Sequence, residues 1–232
     1  MGKSTAGTIR TGPLSHAVIS IGINAERRSR LRLFSYVVAR DYGFAPNPFF
    51  GVCTLATCKP IIRRVAAVGD WVIGTGTSKR NRDGFLVFAM RITCTMSFNE
   101  YWNNERFRRK KPNLRGSKKQ AFGDNIYFKN GPEDWHQQDS HHSYQDGNPN
   151  PFNISNDTQT DRILLSSDFT YWGGSGPTLP EIIRNYNGCD ICAGRGHKSR
   201  FPAPLVDQFI AWFRSLGVTG YAGAPLDWPR TP

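Results

Sequence analysis

The sequence predicts an α+β domain: a mainly antiparallel twisted sheet, or an open β-barrel, with flanking helices. Three observations carry that expectation. Short runs rich in Val, Ile, Phe and Tyr recur between Gly-, Pro- and Asn-rich stretches, which is the pattern of strands and turns. Two of those runs, 71–75 and 85–95, flank the charged turn SKRNRDG and read as a hairpin. Near the C-terminus Leu205, Phe209, Trp212, Phe213 and Leu216 recur at helical spacing, and Gly217 stops the run.

Residues 1–32 hold Lys3, Arg10, Arg27, Arg28, Arg30 and Arg32 against one acid, Glu26. They are expected to form a basic, loosely ordered extension ahead of one domain over residues 33–232. Nothing there resembles an apolar stretch with a small-residue cleavage site, so a secretory signal is not expected. The first strand is expected at 33–39. A loop over 41–59 follows, with Pro46 and Pro48 pushing Ala45 and Asn47 toward extended backbone.

Val68-Gly69-Asp70 is a turn that opens the hairpin. Ser97 and Glu100 stand three apart, the spacing of a capping box, so a short helix is expected after Ser97. Residues 106–119 carry the densest basic run, and Pro112 and Gly116 keep most of it out of helix. A strand is expected at 124–128. Residues 129–160 read as a long polar loop, and loops of that length in compact domains usually have a use. A strand at 162–167 and a short helix at 179–186 precede the C-terminal helix at 205–216.

The chain has 232 residues and a net charge of +12, with 38% hydrophobic and 12% aromatic residues, enough for a core. No run of about 18 apolar residues exists, so no membrane span is expected. The charge points to nucleic acid first and a phosphorylated small molecule second; a basic protein without a polyanion partner is the plain alternative. Five cysteines, unevenly spaced, do not make a secreted disulfide framework, and a cytoplasmic location is expected. Cys189, Cys192 and His197 have the residue types for zinc, but a closed site needs four ligands. Ordinary thiols are the expectation, with no metal and no cofactor.

The stretch Trp135-His136-Gln137-Gln138-Asp139-Ser140-His141-His142 is dense in side chains able to work. His136 and His141 suit acid–base chemistry, Gln138 a base edge, and Trp135 stacking on a base. A solvated loop is the alternative. Cys53 and Cys58 are nucleophile candidates only if a neighbouring base or cation lowers a thiol pKa.

The ordered series GFAPNPF, CTLATCKPIIR, VGDWVIGTG, YW, GDNIYF, WHQQDSHHS, ILLSSDFTYWG and LPEI resembles the nucleotide-modification-associated domain family, the second of the families so named. It runs over roughly residues 33–225. The resemblance implies a role around modified DNA bases in bacteria and their phages, without a mechanism. More locally, residues 68–107 are similar to PUA-like barrels of the ASCH and EVE type, which hold RNA or modified bases.

Two functional expectations follow. The first is a module that holds a nucleotide or modified base between the 41–59 loop, the 124–127 strand and the 135–142 loop. Phe44, Tyr127 and Trp135 stack there, while Asn47, Thr54, Asn125, Gln138 and Ser140 supply hydrogen bonds. Lys59, Arg63, Arg106, Arg108, Arg109, Lys110 and Lys111 meet phosphates. The second is an enzyme of base modification, in which Asp41 or Asp124 works with His136 or His141 and Cys53 is a reserve nucleophile. The partner is DNA rather than RNA, or a free nucleotide, with other base-modification proteins as further partners. A structural subunit of a modification complex is a third reading.

Overall fold

A computed structural model describes residues 31–228. The expected extension over 1–32 lies outside them except for its last two residues. Arg32 pairs with Asp70 of the Gly-Asp turn at 2.7 Å, which fixes the chain at the start of the first strand.

The elements run β1 (Leu33–Val37), β2 (Cys53–Leu55), α1 (Pro60–Val65), β3 (Trp71–Thr75), β4 (Leu86–Arg91), β5 (Cys94–Met96) and α2 (Phe98–Asn103). There follow α3 (Lys118–Ala121), β6 (Tyr127–Lys129), β7 (Trp135–Gln137), α4 (Pro151–Asp157), β8 (Ile163–Ser166) and β9 (Asp168–Tyr171). Last come α5 (Glu181–Arg184), β10 (His197–Lys198), α6 (Ala203–Ser215) and β11 (Gly220–Tyr221).

The fold is α+β. Six strands form one sheet in the order β10-β1-β3-β4-β9-β11, beside a three-stranded sheet β2-β8-β5 and the pair β6-β7. The described residues form no closed barrel. The main sheet is mixed: β1 runs parallel to β3, and β9 parallel to β11. Parallel neighbours need a long crossover. The 41–59 loop and α1 lie within the first crossover, and α6 within the second.

Alternation across the strands sets the layers. Leu33, Trp71, Ile73 and Ala89 face α6, where Leu205, Phe209 and Phe213 are buried. Phe34, Tyr36, Val72, Phe88 and Met90 face the small sheet, meeting Cys53, Leu55 and Leu164. A third apolar cluster joins Phe98, Tyr101, Phe107, Ile126, Tyr127 and Leu165. Gly74 is required inside β3, because a Cβ there would stand 2.2 Å from the Phe88 ring.

The capping box forms: Ser97 Oγ accepts from the Glu100 N–H, and Glu100 accepts from the Ser97 N–H. The strand expected at 124–128 starts only at Tyr127, since Asp124 and Asn125 are drawn into buried polar contacts. The polar stretch 129–160 is more ordered than expected. It holds β7 and α4, the latter capped by the Asn150 side chain with Pro151 in its first turn. Among the described residues no helix is long and apolar enough to cross a membrane.

Phe209 lies on the face of α6 that closes the first apolar cluster, within 6.4 Å of the Trp71 ring centre. Phe209→Ala is expected to cost about 3–5 kcal/mol of stability, read by urea denaturation, with the slope of the transition unchanged.

Candidate functional site

The 41–59 loop and the 135–142 stretch meet. The Phe44 ring centre lies 4.5 Å from that of His142 and 5.3 Å from that of His141. Beside them Cys58 Sγ lies 3.8 Å from His142 Nε2, and His142 Nδ1 lies 2.9 Å from Asp157 Oδ2. Asp157 has a fully buried side chain at the end of α4. It also accepts from the Cys58 N–H at 2.7 Å, from Tyr127 OH at 3.0 Å and from Asn156 Nδ2 at 3.1 Å.

The turn that carries His142 is pinned from both sides. Its N–H donates to Ser140 Oγ, and its carbonyl accepts from Gln137 Nε2 and Asn153 Nδ2. Burial of the ring opposes its charging, but the hydrogen bonds and negative charge of Asp157 and Cys58 outweigh this and raise the His142 pKa to about 9. His141 goes the other way. It shows an edge to solvent yet is packed against Tyr42 and Phe122; that burial, with the charge of His142 and Arg40, lowers its pKa to about 4.

A second polar cluster lies deeper. Lys110 is 1% exposed, and its Nζ donates to the Asn47 carbonyl, Asn47 Oδ1 and Thr54 Oγ1 at 2.7–3.0 Å. Thr54 donates onward to Asp124 at 2.6 Å, and Tyr101 OH donates to the other oxygen of Asp124 at 2.8 Å. Burial lowers the Lys110 pKa to about 8, only partly offset by Asp124, and burial raises that of Asp124. The cluster ties the basic run, the 41–59 loop and α2 into one piece.

The expected catalytic set is not gathered. Among the described residues no hydrogen bond or ion pair joins any two of Asp41, Asp124, His136 and His141. Asp41 accepts from Tyr171 OH and the Leu226 N–H, and His136 is partnered by Asp134 and Asn130. Cys53 has no exposed surface, and burial pushes its thiol up to about 12, which removes it as a nucleophile. Cys58, on the same loop, is the thiol that meets a histidine. The sequence named it as a candidate but offered nothing to rank it above Cys53, and Asp157 carried no motif.

The expected base pocket is filled by the protein's own side chains. Phe44, Asn47, Thr54, Tyr127, Asn125 and Ser140 are all buried. Trp135 packs edge-on against Phe98 at 5.2 Å, under Lys129 at 4.2 Å. Gln138 donates to the Pro112 carbonyl. Arg63 is fully buried, its guanidinium spent on the carbonyls of Cys58, Asp157, Thr160 and Arg162. Lys59 is half-buried, 4.6 Å over the Tyr36 ring. Lys110 is an interior residue, but Arg106, Arg108 and Arg109 of the 3-10 turn Glu105–Lys110 are exposed, and Lys111 is partly so.

Open space lies elsewhere on the same loop. A cleft of about 270 Å³ is lined by Phe49, Phe50, Gly51, Lys119, Ser167 and Tyr221, among others. Arg109 stands 4.3 Å over the Phe50 ring, and Lys119 stands 4.4 Å over that of Tyr221. For a metal ion, the donor atoms of Cys58, His142 and Asp157 lie within 4.8 Å of one another. Cys189, Cys192 and His197 are not gathered in this way among the described residues.

The family described as nucleotide modification associated domain 2 has a sequence model that matches residues 30–232, so the chain belongs to that family. No curated protein and no solved structure matches the chain.

Lys110→Met should lose about 3–5 kcal/mol in denaturant titrations, because it strands the buried Asn47, Thr54 and Asp124 groups. The histidine pair predicts opposite pH limbs. The folded His142 pKa of about 9 lies above the unfolded value near 6.5, so its contribution is full below that value and is lost as pH rises through about 9. The folded His141 pKa of about 4 lies below it, so that contribution is present above about pH 6.5 and is lost as pH falls through about 4. Melting temperatures across pH should show His142→Gln flattening the alkaline limb and His141→Gln the acid one.

Proposed function

Starting from that family membership, we propose that this domain binds a nucleotide of DNA for base modification, in the cleft of Phe49, Phe50 and Tyr221. The observation that carries the reading is the joining of aromatic faces and cations around one opening: Arg109 over Phe50 and Lys119 over Tyr221. Bases of any kind stack on such faces, while the cations meet phosphates. A volume of about 270 Å³ suits one base or nucleoside rather than a larger ligand. Ser167 and Thr219 bring hydroxyls to the lining. Asp168, also there, is neutralised by Arg91 and Arg214, so it does not repel an incoming phosphate strongly.

This moves the aromatic and polar pocket from Phe44, Tyr127 and Trp135 to the tip of the same loop, and it keeps the basic rim. Arg109 stands at the cleft over Phe50, and the exposed Arg106 and Arg108 of the same 3-10 turn and the partly exposed Lys111 after it add positive charge; such residues supply affinity without sequence choice. The preference for DNA over RNA rests on the family's association with DNA base modification. Other base-modification proteins are the natural company for such a module, and the cytoplasm the place where they meet.

Fluorescence anisotropy with a labelled single-stranded oligonucleotide tests this. Binding should weaken steeply with salt, and Arg109→Ala should reduce the salt slope by about one. Phe50→Ala should cost about 1–3 kcal/mol of affinity and leave the slope alone. Salt-independent or absent binding would reject the proposal.

A further inference from the structure

Cys58, His142 and Asp157 stand in the order nucleophile, base and orienter. Nε2 of His142 faces the sulfur at 3.8 Å, and Nδ1 on the far side of the ring meets the carboxylate at 2.9 Å. The carboxylate cannot swing away, because the Cys58 N–H, Tyr127 OH and Asn156 Nδ2 also hold it. That contact assigns one ring proton to Nδ1 and turns Nε2 toward the sulfur as the atom that takes and holds the thiol proton. Cys58 is half-buried, whereas Cys53 is sealed in the core. Cys58 and Lys59 adopt φ of +58° and +45°, two successive side-chain-bearing residues in the left-handed region. Such strain persists only where the surroundings impose it, and it gathers at working sites.

We propose that Cys58 is a catalytic nucleophile, with His142 as its base and Asp157 as a positioning residue, that takes an acyl group from an ester or amide. The thiol proton passes to His142 Nε2 before the reactant arrives, and Sγ then bonds to the carbonyl carbon. The carbonyl electron pair shifts to oxygen and returns as the C–O or C–N bond breaks, and the leaving group takes the proton from Nε2. Water then gives a proton to Nε2, attacks the thioester and releases the acid, and the proton returns to Sγ. Acyl transfer is favoured over addition to a base ring because the histidine on the sulfur can return its proton to a group leaving the same carbon.

A metal site is the competing assignment. His142 Nδ1 and both carboxylate oxygens of Asp157 are already partnered, which leaves Sγ and Nε2 as free donors, two short of a closed zinc site. The other titratable groups that act on the trio are His141, Lys59, Arg63, Tyr36 and Tyr127. The proposal stands apart from nucleotide binding in the cleft, and either can fail alone.

The full chain, treated with p-nitrophenyl acetate, should release a burst of about one nitrophenolate per chain, with the acetyl group found on Cys58 by peptide mass spectrometry. Iodoacetamide at pH 6 should label Cys58 roughly tenfold or more faster than the exposed Cys94 of the same molecules. His142→Gln should remove that advantage and move the labelling profile up to the ordinary thiol range near pH 8.5. Asp157→Asn should slow the burst without abolishing it. If a variant fails to fold by circular dichroism, the Cys58-to-Cys94 labelling ratio of the unaltered protein decides. Equal labelling of the two cysteines, or no acetyl on Cys58, overturns the proposal. So does one tightly bound zinc per chain that blocks labelling and is lost in Cys58→Ser.

Discussion

Asp157 has no exposed side-chain surface, yet four donors close on its carboxylate: the Cys58 N–H, Tyr127 OH, Asn156 Nδ2 and His142 Nδ1. A bare carboxylate in such a place would be costly, and hydrogen bonds of this kind are what make its burial tolerable. The donors come from the 41–59 loop, from β6, from the turn after β7 and from α4 itself. Arg63 completes the arrangement from below, giving its guanidinium to the carbonyls of Cys58 and Asp157. One acid and one base, both inside, therefore hold together four segments with little regular structure among them.

The same economy explains the fate of the positive charge. A net charge of +12 suggests a continuous phosphate-binding face. Two of the cations meant for it, Arg63 and Lys110, instead satisfy buried oxygens. Others lie over rings: Arg109 on Phe50, Lys111 on Trp102 and Lys119 on Tyr221. The basic face is smaller than composition implies and more aromatic, which suits stacking as well as charge.

Ring contacts also connect the two places where something can happen. From the cleft, Phe49 touches Trp228 at 5.6 Å, Trp228 reaches Phe122 at 6.4 Å, and Phe122 reaches His141 at 5.3 Å, beside His142. The 41–59 loop spans both ends of this path, with Phe49 and Phe50 at one and Cys58 at the other. Asn47, Thr54 and the Cys58 backbone bond this loop to the rest of the protein.

How much of this was legible varies by residue. The stripe Leu205, Phe209 and Phe213 announced α6, and Ser97 with Glu100 announced α2, because spacing and cap chemistry act within a few residues. The Asn150-Pro151 start of α4 is equally local, but it lies inside a polar stretch whose composition reads as loop. The proline-framed loop meets the tryptophan–histidine stretch as the sequence implies, but the space between them is filled by the protein's own side chains. Which thiol is open, which lysine is interior and which acid faces a histidine depend on chain segments far apart. Cys58 and Asp157 are 99 residues from each other, and Thr54 and Asp124 are 70. Burial and pKa belong to such pairs rather than to either member, so only the folded chain separates Cys58 from Cys53.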